Sequence, residues 1–202
     1  MTRPTTARSN WAGYYAAGEG RDVRDLVVRG AAATAAPGRA LDLGCGDGTE
    51  TAWLLERGWR VWALDVTPEA MPLVRAKAEA ARAGDRLDTV VADLATAALP
   101  AADLVLACAS LPFVEPGAFD GAWSRVRAAL RPGGVLAVNL FGTNDSWADA
   151  ETGVDGMTFQ ARAEVEELLA GLHVVELTET EWDGPSGRGP KHWHRFDVVA
   201  HA

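Results

Sequence analysis

Residues 39–49 read Arg39-Ala40-Leu41-Asp42-Leu43-Gly44-Cys45-Gly46-Asp47-Gly48-Thr49, and this stretch decides the fold. Arg39–Leu43 has the length and apolar content of a buried strand. Thr49–Arg57 has helical spacing, and Gly58 stops it. Between them, glycines at alternate positions permit positive φ and let a ligand approach bare backbone. The amides and dipole at the mouth of the next helix favour a carboxylate or phosphate. Gly-x-Gly-x-Gly by itself also serves as an ordinary turn. Strand before and helix after make it a ligand loop.

Working outward, Arg60–Asp65 is the next strand, and Thr67-Pro68 reads as the N-cap and first turn of a helix running toward Gly84. Strands Leu87–Ala92 and Leu104–Ala109, a helix near Phe119–Leu130 and strand Gly134–Phe141 follow, with Pro132-Gly133-Gly134 as a turn. Such alternation predicts a parallel sheet with helices on both faces. After a helix at Arg162–Ala170, strands His173–Trp182 and His192–Ala200 flank a Gly- and Pro-rich linker, Asp183–Pro190, and predict a hairpin. The expected fold is α/β: a Rossmann-like three-layer sandwich with a seven-stranded, mostly parallel sheet and an antiparallel C-terminal hairpin strand. One domain is expected over 1–202, with residues 1–30 as an N-terminal helical lid segment and 31–202 as the core.

Asp65 ends its strand about twenty residues after the glycine loop, where an acidic side chain accepts both ribose hydroxyls. Loop and Asp65 together point to an adenosine-containing cofactor. A dinucleotide fingerprint expects Gly or Ala where this chain has Thr49. Asp42, just before the loop, would repel a pyrophosphate and suits an amino group and sulfonium charge.

Leu41–Thr49, Asp65, Asp93-Leu94 and Arg131-Pro132-Gly133-Gly134 together resemble the successive motifs of class I S-adenosylmethionine methyltransferases. The resemblance covers about residues 38–141. It implies S-adenosyl-L-methionine as cofactor and S-adenosyl-L-homocysteine as product. Asp42, Gly44, Cys45 and Gly46 would surround the methionine part, and Asp65 and Val66 the ribose and adenine edge. Asp93 and Leu94 would read the adenine, and Ala109-Ser110 would line the cleft. Over the whole chain, Leu111-Pro112-Phe113, Phe141-Gly142, Asp145-Ser146-Trp147 and Lys191-His192-Trp193-His194 resemble small stand-alone enzymes of the tellurite-resistance type. Amide- and base-amine methyltransferases carry Asn/Asp-Pro-Pro-aromatic after the fourth strand. Ala109-Ser110-Leu111-Pro112-Phe113 departs from that run and disfavours a nucleic-acid or protein amide nitrogen as acceptor.

The acceptor is expected outside the carboxyl ends of the parallel strands. Trp11, Phe113, Phe141, Trp147 and Lys191 are the expected acceptor-binding residues. His192 and His194, two apart on a strand, point to one face and are candidate bases; a hydrogen-bonded structural pair fits them as well. Tyr15 is the third catalytic candidate. In the resembled family the segment Asn10–Tyr15 folds over the cofactor, so Tyr14 or Tyr15 would donate to the cofactor carboxylate. His-x-His can chelate, but two ligands do not make a tetrahedral site, and no metal is expected.

Composition sets the outer bounds. A net charge of −9, from 28 acidic and 19 basic residues, opposes nucleic acid, and Arg125, Arg127 and Arg131 read as the wet face of a helix. No apolar run approaches the ~18 residues of a membrane span, and the first residues lack the apolar core of a signal peptide. Cys45 and Cys108 are too few for a disulfide framework, so a cytoplasmic monomer or homodimer acting on a small-molecule acceptor is expected. Eight tryptophans in such a chain suggest either core packing or an aromatic-walled pocket. An NAD(P)-dependent reductase is disfavoured by Thr49, by the hairpin and by the lack of an evident Tyr-x-x-x-Lys pair. A non-catalytic cofactor-binding module is the other alternative.

Overall fold

A computed structural model describes Trp11, Tyr15, residues 20–186 and residues 188–202. The strands are β1 (Arg39–Leu43), β2 (Arg60–Asp65), β3 (Leu87–Val91), β4 (Ala102–Ala107), β5 (Leu130–Phe141), β6 (His173–Ser186) and β7 (Gly189–His201). The helices are α1 (Asp25–Ala32), α2 (Thr49–Glu56), α3 (Ala70–Ala80), α4 (Pro116–Ala128) and α5 (Arg162–Leu168). The seven strands form one sheet in the order β3-β2-β1-β4-β5-β7-β6, parallel through β5 and antiparallel where β7 meets β5 and β6. The chain reverses direction across the sheet between β1 and β4, and that switch point opens a crevice above their carboxyl ends.

Alternation along the strands builds two apolar layers. Leu41, Leu43, Val105 and Ala107 face Phe119, Trp123 and Val126 of α4 and Val165 of α5. Ala40, Leu104 and Leu106 face Leu26 and Val27 of α1, Leu54 and Leu55 of α2, and Met71 and Val74 of α3. Gly30 lets α1 lie close on the sheet: a Cβ there would stand 2.5 Å from the Cβ of Ala137. Since α1 runs through residue 30, the expected division between lid and core falls inside a helix packed on the sheet.

Several boundaries differ from expectation. The helix after Thr67 starts at Ala70, with the Thr67 carbonyl accepting from the Ala70 amide at 3.1 Å, and ends at Ala80 rather than near Gly84. The fourth strand ends at Ala107, and Pro132–Gly134 lie within β5, where the register with β4 shifts.

The largest correction concerns Asp183–Pro190, expected as a linker. It continues both strands, with Asp183 opposite His192, Pro185 opposite Pro190 and Ser186 opposite Gly189. Because β5 ends at Phe141, paired to Arg195, the ribbon beyond Arg195 projects past the sheet as a two-stranded arm. Proline is tolerated there because no third strand needs its missing N–H.

Candidate functional site

The glycine loop closes β1 by hydrogen bonds from the Gly44 and Cys45 amides to the Leu64 carbonyl, 2.7 and 2.9 Å. Gly44, Gly46 and Gly48 have φ of 78°, 52° and 78°, the left-handed region that disfavours side chains. A Cβ on Gly44 would meet the Ser110 Cβ at 2.4 Å, and one on Gly48 would meet Val74 at 2.9 Å. Glycine is thus required on both sides of the loop.

Asp65 is 3 % exposed and fully engaged. Its Oδ1 accepts from the Tyr15 hydroxyl at 3.0 Å and the Thr67 amide at 2.9 Å, and its Oδ2 from the Gly46 amide at 2.9 Å. The Tyr15 ring lies over Gly46, 3.1 Å from where a Cβ would be. Burial and the nearby Asp65 charge raise the Tyr15 pKa, so the phenol keeps its proton and acts as donor. A hydroxyl therefore already occupies the carboxylate expected to take ribose hydroxyls. Tyr15 thus sits against Asp65 and Gly46, and Tyr14 lies outside the described residues.

Asp42 is placed differently from expectation. Alternation along β1 turns it away from Leu41 and Leu43, toward α2, where its Oδ2 accepts from Thr51 Oγ1 at 2.6 Å. It is buried behind the loop rather than open to a cofactor amino group. Burial first, and the Glu50 charge second, push its pKa up to about 7. Burial also acts against Glu50, but Arg21 and Arg24 pair with it and hold its pKa below the usual range. Asp47 is held low in the same way, its burial offset by Lys77 at 2.7 Å, by Thr49 and by Arg21 at 3.1 Å. This ionic cluster under the loop was missed in the sequence, where Arg21 and Glu50 stand 29 residues apart.

The remaining cofactor candidates ring the same crevice. Val66 is 42 % exposed beyond β2. Asp93 accepts from the Ala95 amide at 2.9 Å, and Leu94 is buried beside it. Ala109 follows β4 at φ 55°, a strained setting for a residue with a Cβ. Its amide donates to Asn139 Oδ1 at 3.2 Å, while Asn139 Nδ2 donates to Asp197 at 2.5 Å, and Arg29 and Arg195 pair with Asp197. Asn139 and Asp197 face each other in the β5–β7 register. Polar residues inside two apolar strands were the available signal for this network.

At the acceptor end the expected histidines are not in the crevice. His194 is 3 % exposed, and a Cβ on Gly142 would fall 2.1 Å from its Nδ1. That Nδ1 accepts from the Asn144 amide at 3.1 Å, which places the proton of the neutral ring on Nε2, facing Glu179 Oε1 at 2.9 Å. His192 lies on the outer face of the arm between Glu181 and Asp183, both at 2.9 Å, and these two carboxylates raise its pKa. Glu179, Glu181 and His194 bring three ligand atoms within 4.8 Å of one another. These side chains face one another across the β6–β7 pairing, where Glu181 stands opposite His194.

Lys191, expected to touch the acceptor, has a side chain only 2 % exposed. Its Nζ is 2.5 Å from Asp145 Oδ1 and lies 3.7 and 3.8 Å from the ring centroids of Trp147 and Trp193. Burial lowers its pKa, against the pull of Asp145. Phe113 links this cage to the cofactor end: its ring is 4.7 Å from Trp11, 6.3 Å from Phe141 and 6.4 Å from Trp147. The expected aromatics therefore do gather in one place.

Cys45 and Cys108 are buried free thiols in one apolar layer, and burial raises both pKa values. Arg125 and Arg127 bond to the carbonyls of Ala95 and Leu168, and Arg131 to Asp103, so they form no open basic patch.

Residues 40–134 match a family described as a methyltransferase domain. The chain is 38% identical over 133 residues to a trans-aconitate 2-methyltransferase of Streptomyces avermitilis, covering 62% of this chain and 47% of that protein. Its fold superposes on TehB from Haemophilus influenzae with a TM-score of 0.77, at 16% identity, over 95% of this chain and 67% of that one. A 1,6-didemethyltoxoflavin-N1-methyltransferase of Burkholderia thailandensis, solved with 1,6-didemethyltoxoflavin and S-adenosylhomocysteine, gives 0.69 at 25% identity, over 100% of this chain and 92% of that one. Residues 40–134 therefore carry the methyltransferase-domain match, and the fold is the Rossmann-like one of such methyltransferases. The chain spans about half the length of the curated relatives it matches. The tellurite-resistance resemblance meets TehB at the level of the fold. Among the described residues no helix is long and apolar enough to cross a membrane.

Proposed function

We propose that this chain is an S-adenosylmethionine-dependent methyltransferase that transfers the cofactor methyl group to a heteroatom of a small-molecule acceptor by in-line displacement. The observation that carries the reading is Asp65: a buried carboxylate at the carboxyl end of β2, bonded to the Gly46 amide and satisfied by a hydroxyl that a ribose hydroxyl can replace. Gly44–Gly46 would cradle the methionine part, Asp65 and Val66 the ribose and adenine edge, and Asp93, Leu94 and Ala109 the base and the cleft floor.

When bound, the cofactor supplies a methyl on a sulfonium: its S–C bond breaks as the acceptor–C bond forms, and the electron pair returns to sulfur as a neutral thioether. Alignment and exclusion of water then supply most of the acceleration. The chain's part is to hold the acceptor beyond β4 and β5, against Phe113 and Trp147, on the line of attack. Neither imidazole is placed to take a proton there. The reading therefore favours an acceptor whose heteroatom is already unprotonated, or loses its proton to water, at neutral pH.

A small acceptor is supported by the acidic net charge, by the arm that crowds the acceptor end, and by the small molecules named for the two methyltransferase relatives. The buried free thiols fit a reducing cytosol. Incubation with methyl-labelled cofactor and acceptors grouped by atom type tests the reading. Label should move to a small molecule and not to DNA, RNA or protein. Tight NADH binding with none for the methyl donor would overturn it.

A further inference from the structure

The methyltransferase reading leaves the acceptor class open, and the packing at the acceptor end narrows it. A row of rings runs from the cofactor end to the arm. Tyr15 stacks on Trp11 at 6.4 Å, Trp11 meets Phe113, Phe113 meets Trp147, Trp147 meets Trp193 at 5.7 Å, and Trp193 stacks on Trp182 at 5.6 Å. Trp11, Phe113 and Trp147 are half-buried.

Several polar side chains around this row are bonded within the chain. Ser110 Oγ donates to the Leu43 carbonyl at 2.6 Å, and both ends of the Asn139 amide are bonded. Asn144 Nδ2 donates to Glu181, and Ser146 Oγ to the His192 carbonyl. Asp145 holds Lys191 and also accepts from the His194 and Trp147 amides. Lys191 spends its charge on Asp145 and two indole faces, so it clamps the wall from behind. Trp193 is engaged by both Lys191 and Trp182, and Lys191 also sits over Trp147, so the half-buried Phe113 and Trp147 form the part of the row between the arm and Trp11. Arg188 approaches Trp147 from the hairpin turn, at 6.0 Å.

We propose that the acceptor end of the crevice is a π-lined slot that takes a flat, conjugated acceptor against Trp147 and Phe113, with Lys191 as the residue that positions the wall. This rests on the methyltransferase reading. Flat rings stack in offset or edge-on geometries that a puckered skeleton of equal size cannot reach. A polycarboxylate chain would need several charged donors open on the wall, whereas Lys191 is enclosed by Asp145 and two indole rings.

The test is calorimetric binding to protein saturated with S-adenosylhomocysteine. The probes are 2-naphthol, its saturated counterpart decahydro-2-naphthol, and trans-aconitate. The naphthol should bind at least about tenfold more tightly than either other probe, and W147A should weaken it by about tenfold, the scale of one lost ring contact. W147F should retain part of the affinity, and S-adenosylhomocysteine binding should not change. For the clamp, K191M paired with D145N avoids a buried unpaired carboxylate. It should weaken naphthol binding and shift the tryptophan emission, while K191R alone should stay near wild type. Equal binding of the saturated probe, tighter binding of trans-aconitate, or indifference to W147A overturns the slot. Unchanged naphthol binding in the double variant overturns the clamp. Failure of S-adenosylhomocysteine to bind at all overturns the methyltransferase reading and this one with it.

Discussion

The Tyr15 hydroxyl donates to Asp65 Oδ1 at 3.0 Å, so the carboxylate expected to hold the cofactor ribose is already satisfied from within the chain. The Gly46 and Thr67 amides complete its shell. Ribose and phenol cannot both take the same lone pair, so the two compete.

Tyr15→Phe should therefore tighten S-adenosylhomocysteine binding by up to about tenfold, since a hydrogen bond to a charged group in the free protein no longer has to break. The melting temperature without cofactor should fall slightly. Weaker binding in calorimetry would mean instead that the hydroxyl stays in the occupied site.

Asp65→Ala should cost about 1.5–3 kcal/mol of cofactor affinity, the worth of hydrogen bonds to a charged group. The variant should also lose thermal stability, because three buried donors would be left without an acceptor. Asp65→Asn keeps one acceptor oxygen and should recover part of the stability but little of the affinity. Scanning calorimetry with and without S-adenosylhomocysteine separates the two effects.

Asp42 makes stability depend on pH. Its folded pKa, about 7, lies above the ordinary 3.8, so the folded chain holds that proton more tightly. Its contribution is fully present below the unfolded value and is lost as pH rises through the folded one. Asp42→Asn removes the titration and keeps an acceptor for Thr51. It should raise the melting temperature at pH 8 by several degrees, with an upper bound of about 4 kcal/mol, and flatten the profile between pH 4 and 7. An unchanged profile would assign the pH dependence to other groups.

The histidines should separate. His192→Ala removes an exposed partner of Glu181 and Asp183. Its raised pKa gives a contribution present below about pH 6.5 and lost above it, and turnover should not change. His194→Ala opens a hole under Gly142 and strips the Asn144 amide, and should lower stability by about 2–4 kcal/mol. A fall of 10²–10⁴-fold in turnover with stability intact, of the order of general-base loss, would instead restore a catalytic role.

The glycine loop, Asp65, the strand–helix alternation and the closing hairpin were all legible along the chain. Each rests on a local rule: positive φ selects glycine, period-two alternation marks a strand, and an acid at a strand end faces a cleft. Asp42 shows the limit of such rules. Its place in the motif was plain, but alternation along β1 turned it toward Thr51, and only packing against α2 showed what covered it. The Asp183–Pro190 stretch failed for a related reason, because turn-forming composition was outweighed by cross-strand pairs such as Trp182 with Trp193.

By itself, then, the sequence determined the fold class, the glycine loop and the carboxylate beside it, because these depend on backbone geometry over a few residues. Only the tertiary structure decided that Tyr15 caps Asp65, that His194 is held beneath Gly142, and that Lys191 is enclosed by Trp147 and Trp193. Tyr15 and Asp65 are 50 residues apart, and His194 and Asn144 are likewise 50 apart. Residue type and spacing carry no information about which of many distant partners will exclude water from a side chain. That choice is made when the sheet brings the strand ends together.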